Sequence, residues 1–495
     1  MRKNLSKLPS LRLFLLCCFP VALYFSFYPR IFLASTETMD LELSLPLILL
    51  LLFALLSLPS ALRMAASFIK SFLAAPSLRS FAPLALLLFP LYTVLSLLWT
   101  ANLPRAILTA GIFGCILISV LSMLDLYRNH DLLKHKTAIL KVYLWGTVAV
   151  CLFCWLQCAL DLLALPREIT LLCPGCVSAT FGFPHPSGFA IEPQFMGNLL
   201  LLPSLLLIYF LLHPDQSPFA AKKSNYLILV ALSSITLFTL FLTFSRGAIY
   251  SFLLALALFL IWEFVRQLCA KAPKTKSSSF LAPLLVTLFA FLFSLGAQGL
   301  MSALSPYDTT FVSGVSKSLS QLTLGKLDLS STASSAENPA EISPDTSETP
   351  KQPLFSGYVE ESTNTRVLLS SLALGAWTSS PSAFLFGFGL GSSGVTIHRF
   401  YPDIVDSKEI IQNEFFALAL ELGLLGLLLL LPLLFLLVKL SLASKSAPFF
   451  LSLIVAFLAS LMFFSGLPNA LHIYLLPPLF YLLSKNPPKP AQKQP

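Results

Sequence analysis

Charge is what this chain has least of. Of its 495 residues only 11% are charged and 56% are apolar, whereas soluble domains carry about 25% charged residues. That shortage excludes a soluble globular protein. The long apolar runs also lack polar–apolar alternation, which excludes a barrel of membrane strands. A helical bundle remains, because irregular backbone cannot face lipid. Asp-rich clusters and His/Cys groups at ligand spacing are missing, so no metal and no cofactor are expected. No strand precedes a glycine loop in the manner of a nucleotide site, and no internal repeat occurs. A cleavable leader is not expected either. Residues 11–30 follow a basic start, run long for such a segment and lack a small-x-small site, so they read as a retained helix.

What the chain does have is apolar length. A hydrocarbon core of about 30 Å needs about 20 apolar residues per helix. Such runs occur at 11–33, 41–62, 80–100, 103–125, 138–161, 196–213, 225–244, 247–264, 279–298, 414–438, 446–464 and 468–484. Twelve spans place both termini on one side. With the N-terminus in the cytoplasm, most of the 32 Lys and Arg fall in short inner connections, as the positive-inside rule requires. The formal charge of +9 therefore reads as a topology signal, and no nucleic-acid partner is expected.

The expected organisation follows. Residues 1–298 hold nine helices and an outer loop at 162–195. Residues 299–413 form a long outer loop or cap. Residues 414–484 hold three more helices, and 485–495 form an inner tail. Within the cap, the Ser/Thr/Glu/Pro-rich stretch 328–353 reads as a flexible insert. VLLSSLALGAW (367–377) reads as an amphipathic helix at the interface.

Polar residues gather at the outer side of this path. Arg246 stands in Ser245-Arg246-Gly247 between two apolar runs, where arginine costs about 2.5 kcal/mol at mid-membrane. One reading is a snorkelling interface anchor. The other is a phosphate-binding group, assisted by the Ser245 hydroxyl and the Gly247 backbone. Glu192, Arg366, Gln412, Asn413, Glu414 and Glu421 lie on the same side. Each has a plain reading too: Asn413 as a helix cap, Glu192 as a helix start before Pro193, Glu421 as a partner inside the bundle. FGFGLGSSG (386–394) reads as a tight turn in which Gly389 and Gly391 offer backbone N–H groups to a substrate. His398 is a loop histidine or a base. Cys173 and Cys176 form either a local disulfide or a redox pair. The other seven cysteines read as small apolar residues.

Four stretches together resemble the O-antigen ligase and polymerase superfamily. They are HPSGFAIEPQFMGNLLLLPSLLL, TFSRGAIYSFLLALALFL, PSAFLFGFGLGSSG and QNEFFALALELGLLGLLLLLPLLFLL. The likeness covers about residues 180–440, and the long outer loop fits it. The resemblance implies an all-α, GT-C-like polytopic bundle in a bacterial inner membrane, with the active face periplasmic. It implies a glycosyltransferase that takes a glycan from undecaprenyl diphosphate and passes it to lipid A-core, to another carrier-linked unit or to a protein. Lipid A-core is the favoured acceptor. By the same likeness Arg246 and Arg366 contact the donor diphosphate. Members carry His-Asn where this chain has Gln412-Asn413, and glutamine cannot take a proton; either another group such as Glu192 or His398 serves as base, or deprotonation is late and a base matters less, or the acceptor differs or activity is lost. Attack opposite the diphosphate inverts the anomeric carbon. A transporter or lipid flippase, or an inactive scaffold, shares the same hydropathy; a transporter places its charges near the bilayer midplane.

Overall fold

The computed structural model describes residues 8–36, 40–219, 223–269, 278–307, 310–323, 358–464, 467 and 469–485. The expected insert at 328–353 and tail residues 486–495 lie outside the described residues. In chain order the elements are α1 (Leu8–Ala22), β1 (Arg30–Ser35), β2 (Asp40–Ser44), α2 (Leu45–Ala74), α3 (Leu78–Leu95), α4 (Leu103–Arg128) and α5 (Lys136–Leu162). There follow α6 (Pro193–Leu212), α7 (Lys223–Leu242), α8 (Arg246–Cys269), α9 (Ser278–Leu304), α10 (Phe311–Leu322) and α11 (Tyr358–Trp377). The last are α12 (Pro381–Phe386), α13 (Ser393–Phe400), α14 (Glu414–Leu442), α15 (Ala447–Ser460) and α16 (Leu471–Ser484). Single turns carry no label.

Apart from one antiparallel hairpin, β1–β2, the described fold is all-α. Among the described residues eight helices (α2, α4 to α9 and α14) are long and apolar enough to cross a membrane. The chain is a multi-pass membrane protein. The other four expected spans correspond to shorter apolar helices, Leu11–Ala22, Leu86–Leu98, Ala447–Ser460 and Leu471–Ser484. At 1.5 Å per residue, the 14-residue helices α15 and α16 are about 21 Å long, less than the hydrocarbon core.

The first expected helix, 11–33, is divided. It stops at Ala22, and residues 30–35 become a strand paired with 40–44. Pro29 cannot continue a helix, and the β-branched and aromatic residues that follow suit an extended chain. An Arg30–Glu42 ion pair crosses the hairpin.

The chain divides into two compact units. The first comprises Met1–Gly146, Leu254–Ala272 and Arg366–Pro495; the second comprises Thr147–Leu253 and Pro273–Thr365. The segment 299–413, expected as a long outer loop, is thus shared, with the change at residue 366. In the first unit α2 and α16 pack on α4, and α3 and α12 pack on α14. Buried hydroxyls tie α2 to α4, where Ser122 Oγ meets Ser57 Oγ at 3.0 Å. Such bonds replace the hydrophobic drive that lipid does not supply. Helix α11 buries Leu369, Ala373 and Ala376 against Ile397, Val405, Ile411 and Leu420.

In the second unit α6 is buried on nearly all sides, and α7 packs against α6 and α9. Gly197 lets α6 meet the start of α8. A Cβ there would lie 2.7 Å from the Ser245 Cβ.

Candidate functional site

The residues singled out from the sequence fall into two groups, one in each unit. Glu192, Ser245, Arg246 and Gly247 belong to the second. Glu192 precedes α6, with Pro193 at the first helical position, and its backbone oxygen accepts from Phe195 N at 3.1 Å. Its side chain is exposed and makes no cap bond. Ser245 is buried, and its hydroxyl accepts from Ala248 N at 3.4 Å while its carbonyl accepts from Ile249 N at 2.8 Å. The hydroxyl that was expected to face a phosphate therefore caps α8. Arg246, half-buried, is the first residue of that helix, and Gly247 is buried behind it.

The turn into Arg246 has an unusual backbone. Phe244 has φ 55°, a region that bulky side chains seldom occupy. Its ring stacks on His185 at 5.6 Å, and His185 stacks on Phe181 at 4.5 Å. Burial pushes the His185 imidazole down to about 3, so it is neutral near pH 7. The loop that carries it is pinned at several points. Cys173 and Cys176 form a disulfide, and the Cys176 carbonyl accepts from His185 N at 2.9 Å. Gln157 of α5 binds Gly188 twice, accepting from its N–H at 2.8 Å and donating to its carbonyl at 3.0 Å. Asp161 accepts from Ser178 N at 2.9 Å. The sequence reading missed Gln157 and Asp161. A lone polar residue in an apolar span was the available signal.

The first unit holds Arg366, Gln412, Asn413, Gly389, Gly391 and His398. Two of these meet. Arg366 Nε donates to Gln412 Oε1 at 2.6 Å, although 46 positions separate them. Asn413 is the cap of α14, and its Oδ1 accepts from Phe415 N at 3.1 Å and Phe416 N at 3.3 Å. His398 Nδ1 donates to the Val405 carbonyl at 2.6 Å. A carbonyl only accepts, so Nδ1 carries the proton.

The glycine turn is engaged elsewhere than expected. Its N–H groups point into the protein. Phe388 N donates to Leu420 O at 2.9 Å and Gly389 N to Glu421 O at 2.8 Å. Leu390 N donates to Ser96 Oγ at 3.2 Å. Gly391 N and Ser393 N donate to the buried Glu421 carboxylate, at 2.8 Å and 3.2 Å. The bonds to the Leu420 and Glu421 carbonyls are open because α14 is broken at Gly423, where φ is 63°. The break frees carbonyls of the preceding turn, and Tyr92 OH donates to a third of them, Leu422 O, at 3.0 Å. FGFGLG and ELG are thus one structural unit, and a substrate does not meet these N–H groups.

Beside that unit lies a small polar cavity. Arg105 and Thr109 of α4, Gly391, Ser393, Glu414 and Glu421 line it, with apolar residues between. Arg105 is half-buried. Its backbone bonds to Asn102 and Thr109, and its guanidinium has no partner among the described residues. Nothing in the surrounding sequence, ANLPRAIL, marks that arginine. Among the described residues no group of three His, Cys, Asp or Glu is placed to hold a metal. No protein-family model and no curated protein matches this chain.

Proposed function

We propose that this chain is a membrane glycosyltransferase of the O-antigen ligase kind. It moves a glycan from undecaprenyl diphosphate to an acceptor hydroxyl, with lipid A-core the favoured acceptor. The reading includes twelve crossings, both termini in the cytoplasm and a periplasmic active face. One observation carries it: the 2.6 Å contact between Arg366 and Gln412. The resemblance gives these two positions to the donor phosphate and the acceptor hydroxyl, and they are neighbours.

The chemistry needs a cation for the departing diphosphate and a place for the attacking hydroxyl. A guanidinium suits the first, because it stays charged and offers a fork of donors to phosphate oxygens. Preorganised charge of this kind stabilises the leaving group in the transition state. The amide of Gln412 fixes the fork from one side. Arg246 is the second cation of the reading, at the start of a helix whose first N–H groups favour an anion.

The test uses purified protein, carrier-linked glycan and acceptor, without an ion gradient. Wild type forms product, and Arg366→Ala lowers the rate about 100-fold or more, the range for loss of a preorganised group that stabilises developing charge. Arg366→Lys restores little, since a point charge lacks the fork. Near-normal product from Arg366→Ala, or a requirement for a gradient, rules the reading out. Within the superfamily, gene deletion separates the acceptors: loss of all attached glycan indicates a ligase, single-unit capping a polymerase, and loss from protein alone a protein oligosaccharyltransferase.

A further inference from the structure

The transfer needs a group to take the acceptor's proton, and position 412 does not supply one. The Gln412 amide oxygen is occupied by Arg366, and its nitrogen is only a donor. Two residues on, Glu414 is a buried carboxylate at the start of α14. Asn413 caps that first turn with its own side chain, and the Glu414 carboxylate is buried next to it. Glu414 lines the polar cavity described above, whose volume of about 40 Å³ is enough for water. The other carboxylate in that cavity, Glu421, accepts from Gly391 N on one oxygen and from Ser393 N on the other. Glu414 Oε1 accepts from Tyr474 OH at 3.2 Å. The Arg105 guanidinium lines the same space. His398 does not, and its Nδ1 faces Val405.

We propose that Glu414 accepts the proton of the acceptor hydroxyl through water in this cavity, in place of a histidine at position 412. The inference rests on the transferase reading above. In the step, the acceptor oxygen bonds to the anomeric carbon. The bond from that carbon to the diphosphate oxygen breaks, and its electron pair leaves on the phosphate. The hydroxyl proton passes to a water, which delivers one of its own to the Glu414 carboxylate. Tyr474 holds the carboxylate in place.

The experiment compares wild type, Glu414→Gln and the double variant Gln412→His/Glu414→Gln in the transfer assay. Glutamine keeps the shape of Glu414 and still accepts from Tyr474. Glu414→Gln is expected to slow transfer about 100-fold or more, the usual range for loss of a general base, with unchanged retention of carrier-linked glycan. Histidine at 412 is expected to bring the double variant within about tenfold of wild type, which also shows that a chain carrying Glu414→Gln folds. Transfer by Glu414→Gln within about threefold of wild type overturns the proposal and leaves the transferase reading standing. A slow Glu414→Gln that histidine does not rescue overturns the exchange of roles. A wild type that never transfers removes the transferase reading itself, and this proposal with it.

Discussion

His185 shows how one buried side chain makes stability depend on pH. Unfolded, its imidazole has the ordinary value near 6.5; folded, burial holds it at about 3. As pH falls below 6.5 the unfolded chain takes up the proton first. Stability from this site is therefore complete above 6.5 and is lost as pH falls toward 3. One pKa unit is about 1.4 kcal/mol, so the loss between pH 6.5 and 5 is about 2 kcal/mol. Thermal aggregation in detergent at pH 7 and pH 5 measures it. His185→Phe keeps the stack on Phe181 and Phe244 but cannot titrate, so its aggregation midpoint moves less. An equal shift in both proteins assigns the effect elsewhere. At this scale the sequence was partly legible. Asn413 reads as a cap because an amide before an acidic first turn satisfies free N–H groups. Arg105 does not stand out, because its significance comes from Gly391, Glu414 and Glu421, which local sequence cannot bring near.

Among the elements, the broken helix α14 and the glycine turn depend on each other. A Cβ at Gly387 would lie 2.4 Å from Glu421 O, and one at Gly423 would lie 2.5 Å from Leu385 O. Both residues also have positive φ, 70° and 63°. Left-handed backbone costs an alanine about 1–2 kcal/mol, and overpacking adds about 1–3. Gly387→Ala is expected to destabilise the protein by about 2–5 kcal/mol, read as a lower midpoint in detergent thermal melts. A midpoint indistinguishable from wild type contradicts this packing. The glycine spacing was visible from the start, and a tight turn followed from it. Its orientation was not, because the acceptors come from a helix that had to break first. Hydropathy reads α14 as continuous, and only the partner segment explains Gly423. The hairpin at 30–44 was lost for a related reason. An apolar strand and the end of an apolar helix have similar composition, and Pro29 was the one signal that separated them.

For the whole molecule, apolar run length carried the fold. Eight of the twelve expected spans are long helices, since lipid leaves a chain few other ways to satisfy its backbone. Of the remaining four, α1, α15 and α16 have 14 or 15 residues, with Pro20 inside α1 and Pro477 and Pro478 inside α16, and α3 carries Pro83 and Pro90. Length alone does not say how such helices meet the bilayer. The positive-inside path gives a direct test. A single cysteine at position 246, in a chain whose exposed Cys269 is replaced by serine, is expected to react with a membrane-impermeant thiol reagent in intact spheroplasts. Labelling only after lysis reverses the path and removes the outer-face reading.

The kink at Gly423 has a consequence for how the chain is made. Residues 386–393 leave the ribosome before residues 420–423, yet their amide groups bond to carbonyls and a carboxylate on that later helix. Until α14 is inserted and bent, the amide groups of Phe388, Gly389, Gly391 and Ser393 lack these acceptors. Docking is thus a late step of biogenesis, and a chain halted before Leu420 leaves the translocon with its glycine turn still undocked.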